Sequence, residues 1–346
     1  MLATYRWQLG VFALATLAFA VLLASGLLQY EIWGQIDYLH RAEIDLTSTG
    51  MYAHLPRYIV VSPSYILADL LDLDANAVFG WYVYLLVCAT SWLWLQLRIA
   101  VARRPPIRYY TFLVPFLLAM VINGRFAFGL FGLSLILFIL VRARLHGFSL
   151  WQVAGAIAGL LFTSVSSGIF TVGLAFLLLT VMQFMRFGKF AGSLGIRKLF
   201  IGLVCVAVSI PLAAMLWIFL MKNISYYGEG LGGIVDMVSH GFGLILNPYP
   251  VVEQCLADDN TGLVCLAATM FAGSGYVTTM MAISLVSLVV VLAFWLRRSS
   301  LMLLARRGVG LACLGGVFGL TTLLSVLFIL PVWIKQSETN PQLADA

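Results

Sequence analysis

The chain has 346 residues, of which 62% are hydrophobic and only 10% charged, and its mean hydropathy is +1.01. Ordinary globular domains are about 45–50% apolar and about 25% charged, so a separate water-soluble domain is excluded. The net charge of +6 sits on basic residues in short loops between apolar runs, a pattern that sets membrane topology and gives no reason to expect a nucleic-acid partner.

Lipid cannot satisfy free backbone polar groups, so a chain of this kind builds helices or a closed barrel. The apolar runs are continuous and do not alternate, which predicts helices. Runs at 9–29, 77–97, 148–166, 168–185, 199–221, 275–296 and 308–332 are each near the ~20 residues that cross a ~30 Å hydrocarbon core. The first, preceded only by Arg6, continues through Leu28 without a convincing small-residue cleavage site. It reads as an uncleaved anchor.

The stretch 109–141 is too long for one crossing and short for two, with the polar break Asn123-Gly124-Arg125 near its middle. Arg98, Arg103, Arg104 and Arg108 precede it, and Arg142 and Arg144 follow it. Both clusters favour the cytoplasm, so an even number of crossings is expected, as two compact helices of about 14–16 residues with Arg125 at their turn. The fold class is then all-α: one polytopic transmembrane helical bundle over 1–346, of about nine spans, with interfacial or re-entrant helices on the outer side. The N-terminus is cytoplasmic and the C-terminus outside. In this arrangement 15 of the 20 Lys and Arg fall on the cytoplasmic side and all 14 Asp and Glu on the other. A wrong helix count would scatter them.

Three segments then lie outside: 30–76, 222–274 and a polar, flexible tail at 333–346. The first concentrates Glu31, Trp33, Asp37, Tyr38, His40, Arg41, Glu43 and Asp45 directly after the first span. On a helix over 36–46, Asp37, Arg41 and Asp45 share a face at i, i+4 spacing. That spacing fits an exposed ion-pair ladder, or a carboxylate at the membrane surface suited to act as a base or to bind a hydroxyl-rich group. From Tyr58 to Leu71 the run is too short to cross, and a break is expected at Ser62-Pro63-Ser64. Tyr52, His54, Arg57 and Tyr58 stand at its entrance, either bordering a cavity or forming an aromatic belt.

In the second outer segment, Ile234, Val238, Phe242 and Ile245 predict an in-plane amphipathic helix. Asp236 and His240 lie four apart on its other side, as a structural pair or an acid–base pair. Cys255 and Cys265 flank a polar turn where a disulfide is chemically permitted. Non-reducing digestion is expected to give a linked peptide pair if that bond forms, and free alkylation of both cysteines excludes it. Arg125 is the most informative residue: a charge between apolar helices either snorkels outward or meets an anion in a cavity. No P-loop, GxGxxG or HExxH motif occurs, so no metal and no cofactor are expected.

The sequence Gly34-Gln35-Ile36-Asp37-Tyr38 after the first span, the short outer elements behind it, and Asn123-Gly124-Arg125-Phe126-Ala127-Phe128 opening an apolar helix together resemble the EpsG-like and Wzy-like bacterial polysaccharide polymerases. These belong to the GT-C class of membrane glycosyltransferases, and the resemblance covers roughly residues 30–142. The chain departs from the group in having fewer spans than many members and in lacking a large arginine-rich second outer loop. The resemblance implies an enzyme of the bacterial inner membrane that acts at the outer face on sugars linked to polyprenyl diphosphate. Its partners would be the lipid-linked oligosaccharide, membrane lipids and envelope-assembly proteins. Such a transfer needs a base for the acceptor hydroxyl, with Asp37 the first candidate and His240 the second. It also needs positive charge for the departing diphosphate, with Arg125 the candidate, assisted by Arg41 or Arg57. Trp33, Tyr38 and Tyr52 are candidates to stack on sugar rings. A lipid-sugar flippase or transporter, or a non-catalytic envelope component, is the alternative that the same polar residues allow.

Overall fold

The computed structural model describes residues 6–25, 30–41, 54–102, 124–146 and 150–186, with a few isolated helical residues between 210 and 239 and between 322 and 326. Among these, every regular element is an α-helix: α1 (Arg6–Ala24), α2 (Gly34–His40), α3 (Leu55–Leu71), α4 (Ala75–Ala102), α5 (Gly124–His146), α6 (Leu150–Thr163) and α7 (Ser167–Arg186). Two stretches, Ala75–Trp94 in α4 and Gly124–Ala143 in α5, are long and apolar enough to cross a membrane. At 14 residues, α6 is only about 21 Å long, short of the ~30 Å core that a full crossing needs.

The expected break at Ser62-Pro63-Ser64 does not occur, and α3 runs unbroken through Pro63. Proline removes the N–H that would bond the carbonyl of Ile59. The Ser62 hydroxyl donates to that same carbonyl at 3.0 Å and so satisfies it. The helix stops instead at Asp72, in the left-handed region at φ 52°, whose N–H, like that of Leu73, returns to the carbonyl of Ala68. Two residues on, the Asp74 carboxylate accepts the N–H of Ala77 at 2.8 Å and caps α4. The α3–α4 turn is thus closed on both sides by local hydrogen bonds.

The expectation of a compact second helix within 109–141 is also revised, since α5 is 23 residues long and carries Arg142 within it. Arginine and leucine propagate helix well in water or lipid, so the apolar boundary does not end the helix. Arg142 is exposed and lies over the ring of Phe138, 5.9 Å from its centroid. Residues 109–123, where the first of the two helices is expected, lie outside the described residues.

α5 is the central helix. Gly124 lies against Phe79 and Val83 near the start of α4, and Ser134 accepts the Trp94 indole N–H further along at 2.9 Å. α4 and α5 therefore run parallel. Gly155 of α6 meets Ile139 and Gly159 meets Gly132 and Ile136, so α6 is antiparallel to α5. Gly129 against Ile169, and Gly173 against Leu133 and Ile136, make α7 parallel to α5 again. α1 is antiparallel to α4, with Leu23 on Gly80 and Phe19 beside Tyr84. One end of the bundle consequently gathers the C-terminal end of α1, the N-terminal ends of α4, α5 and α7, and the α6–α7 turn. An apolar cluster built on Phe19, Ile36, Val61, Phe79 and Phe128 seats α2 and α3 on that end.

Candidate functional site

α2 begins at Trp33 in extended conformation and is anchored by the Ile32 N–H, which donates to the Asn76 side chain at 2.9 Å. Trp33, Asp37 and His40 recur at four and three residues, which puts them along one stripe of α2. Ile36 is buried beside this stripe, while Tyr38 falls on the other side and is 51% exposed. Trp33 packs edge-on to Phe79 and Phe128, with centroids 5.7 and 6.1 Å away.

Because α3 is continuous, Tyr58 and Tyr65 lie seven residues apart and share its face toward α2. The Tyr65 hydroxyl donates to Asp37 Oδ1 at 3.3 Å, and Arg41 Nη2 meets Asp37 Oδ2 at 2.8 Å. Each carboxylate oxygen thus has its own partner, one on α3 and one on α2. The Tyr65 ring stacks under His40 at 3.8 Å and 9°, and His40 Nδ1 shares a hydrogen bond of 3.3 Å with the Tyr58 hydroxyl. Burial first, then the Asp37 charge and hydrogen bond, push the Tyr65 phenol well above its usual range, so it stays protonated and remains a donor.

The cationic half of the site comes from α3 and α5. Arg57 Nε donates to the Ser164 carbonyl in the α6–α7 turn at 3.1 Å, and its Nη1 donates to Nδ1 of buried His54 at 3.3 Å. Arg125 lies in the first turn of α5, its guanidinium carbon 5.0 Å from the centre of the Trp33 ring, within cation–π range. Burial, and second the neighbouring Arg125 charge, draw Arg57 down from its ordinary value to about 10, still charged at neutral pH. The two guanidinium charges therefore lie near enough to repel each other, at the end where the N-terminus of α5 adds its own partial positive charge.

Of the residues singled out from the sequence, Trp33, Asp37, Arg41, Arg57 and Arg125 come together at this end, and Tyr38 stands outside the cluster. Tyr52, His240, Cys255 and Cys265 lie outside the described residues. His40, Tyr58 and Tyr65 complete the acidic half; the sequence placed Tyr58 at a cavity border or in an aromatic belt, and assigned His40 and Tyr65 no role. The spacing of Trp33, Asp37 and His40 was available to find the first. The two tyrosines fall in register only once α3 is known to pass through Pro63.

Among the described residues, fold and site together define a helical bundle with two membrane-length helices and a cluster of cationic, carboxylate and aromatic side chains at one end. Comparison with protein-family models, with curated proteins and with solved structures returns no match.

Proposed function

We propose that this chain is a multi-pass membrane glycosyltransferase that extends a polysaccharide at the outer face of the bacterial inner membrane, using sugars linked to polyprenyl diphosphate. The observation that carries the reading is the placement of Arg57 on the α6–α7 turn and of Arg125 over Trp33, at one end of a bundle in which two described helices reach membrane length. Paired guanidinium groups at a helix N-terminus suit the oxygens of a diphosphate. The lipid tail of such a donor stays in the bilayer while its head group reaches the bundle end. In the transfer, the acceptor hydroxyl oxygen attacks the anomeric carbon of the donor sugar, and the bond from that carbon to the diphosphate oxygen breaks. Polyprenyl diphosphate leaves with the electron pair, stabilised by Arg57 and Arg125. Asp37 accepts the hydroxyl proton, and Trp33 borders the cationic half.

The about nine-span topology belongs to the same proposal. It is supported by the parallel run of α4 and α5, which puts Ala102 and Gly124 at opposite ends of the bundle, as an extra crossing between them demands. Reporter fusions after residues 103, 145, 190 and 302 are expected to report cytoplasm, and fusions after 45, 225, 260 and 340 the outside. An outside signal at 145 removes the paired crossing over 109–141.

The chain purified into liposomes with polyprenyl-diphosphate oligosaccharides is expected to lengthen the glycan and release one polyprenyl diphosphate per step. Movement of unextended oligosaccharide across the bilayer would instead identify a flippase. Neither outcome, in well-inserted protein, defeats the reading.

A further inference from the structure

The site holds more order on its acidic side than a base alone requires. A carboxylate on a short helix such as α2, seven residues long, has free rotation about its side-chain bonds unless neighbours fix it. Asp37 is fixed at both oxygens, by Arg41 from its own helix and by the Tyr65 hydroxyl from α3. Tyr65 itself is buried, and its ring carries a second titratable group, His40, whose Nδ1 is held in turn by Tyr58. One side of α3 therefore orients two groups capable of taking a proton, each through a different part of the same tyrosine.

Resting on the glycosyltransferase reading above, we infer that Tyr65 is the positioning residue of the reaction: its hydroxyl aims the Asp37 carboxylate at the acceptor hydroxyl, and its ring holds His40 beside it. Arg41 is 59% exposed at its side chain, so its hold on Asp37 is screened. Tyr65 is buried as a residue, and its part-buried hydrogen bond to Asp37 is screened less. Tyr58 completes the arrangement by preventing the imidazole from turning about its own axis.

The substitution Tyr65→Phe keeps the ring beneath His40 and removes only the hydroxyl. In the liposome assay kcat is expected to fall roughly ten- to a hundredfold, the effect of losing one hydrogen bond to a charged group. KM for the lipid-linked donor should hold, because Arg57 and Arg125 bind its diphosphate. Tyr65→Leu, which also removes the floor under His40, should fall further. Wild-type kcat in Tyr65→Phe overturns the inference, since a merely structural tyrosine would alter melting temperature and leave kcat alone. A second readout does not depend on activity: the phenolate titration of Tyr65, isolated as the absorbance difference between wild type and Tyr65→Phe. In an Asp37→Asn background this ionisation should move down toward the ordinary phenol range, because the Asp37 charge and bond contribute to holding it up. An unmoved titration overturns the Tyr65–Asp37 coupling. A wild type that transfers no sugar, yet whose Tyr65 titration moves, sinks the glycosyltransferase assignment and leaves the positioning of Asp37 by Tyr65 standing.

Discussion

Arg125→Ala is expected to cut polymer synthesis about 10²–10³-fold while leaving an inserted, folded protein. Removing one preorganised group that stabilises developing negative charge typically costs about 10²–10³ in kcat, and in the proposed transfer the loss falls on the departing diphosphate. Arg57 remains beside the site, held by the Ser164 carbonyl and His54, so residual activity should be traceable to it, and the double substitution should remove it. Arg125→Lys is expected to recover only part of the rate, because a point charge cannot reproduce the planar fork of a guanidinium. Asp37→Asn should give the same phenotype with little change in volume. The competing explanation of Asp37, a surface ion pair with Arg41, makes the opposite prediction. Exposed pairs are worth only about 0–1 kcal/mol, so their loss should be silent. The measurement is the length distribution of lipid-linked glycans, set beside the amount of inserted protein and its melting temperature. Full-length chains made by a well-expressed Asp37→Asn protein would defeat the catalytic assignment of that residue. A fall in melting temperature that matches the fall in activity for Arg125→Ala would reassign Arg125 to packing over Trp33.

The helical character of the chain was legible because composition leaves few choices: continuous apolar runs with charge confined between them cannot be strands with a wet face. The start of α5 at Gly124 was legible for the same reason, through the polar break at Asn123-Gly124-Arg125. The course of α3 was not. Proline inside a run reads as an interruption, and the Ser62 hydroxyl that satisfies the Ile59 carbonyl gives only a weak sequence signal, since serine before proline is as common in turns. That single local bond decides whether Tyr58 and Tyr65 share a face, and hence whether the acidic half of the site can be assembled on paper. The anchoring of Arg57 was illegible for a different reason: its acceptor is a backbone carbonyl in the α6–α7 turn, which any residue at 164 would supply. Arg57 and Arg125 were each visible as charges in the sequence, but their placement at one end of the bundle depends on α3 packing against α4 and reaching the α6–α7 turn, a tertiary relation that hydropathy does not encode.

The contact between α5 and α6 gives the largest expected effect on the fold itself. In the proposed membrane setting there is no hydrophobic driving force between helices, and association relies on close backbone approach at small residues. A methyl group at Gly132 would collide with the carbonyl oxygen of Gly159 and stand 2.8 Å from both the backbone nitrogen and Cγ2 of Thr163. One at Gly159 would stand 3.0 Å from the Gly132 carbonyl oxygen and 2.7 Å from Ile136 Cγ1. The first obstacle is backbone, which cannot rotate away, so the helices must separate. Gly132→Ala is therefore expected to cost about 1–3 kcal/mol, the usual range for overpacking, and Gly132→Leu to prevent stable folding. At Gly155 the only neighbour of an added methyl is the end of the Ile139 side chain, which can change rotamer, so Gly155→Ala should be tolerated. At Gly10 an added methyl meets nothing within 4 Å among the described residues, and Gly10→Ala in the exposed face of α1 should be neutral or stabilising by about 0.5–1 kcal/mol through helix propensity. Melting temperatures of the four variants in detergent, with monodispersity by size exclusion, order them as Gly10→Ala highest, then Gly155→Ala, Gly132→Ala and Gly132→Leu. Because α6 carries the turn whose Ser164 carbonyl holds Arg57, separation of α5 from α6 should also remove the cationic half of the site. Gly132→Ala should thus lose activity at temperatures where it is still folded, and a Gly132→Ala protein as stable and active as Gly10→Ala would contradict this helix contact.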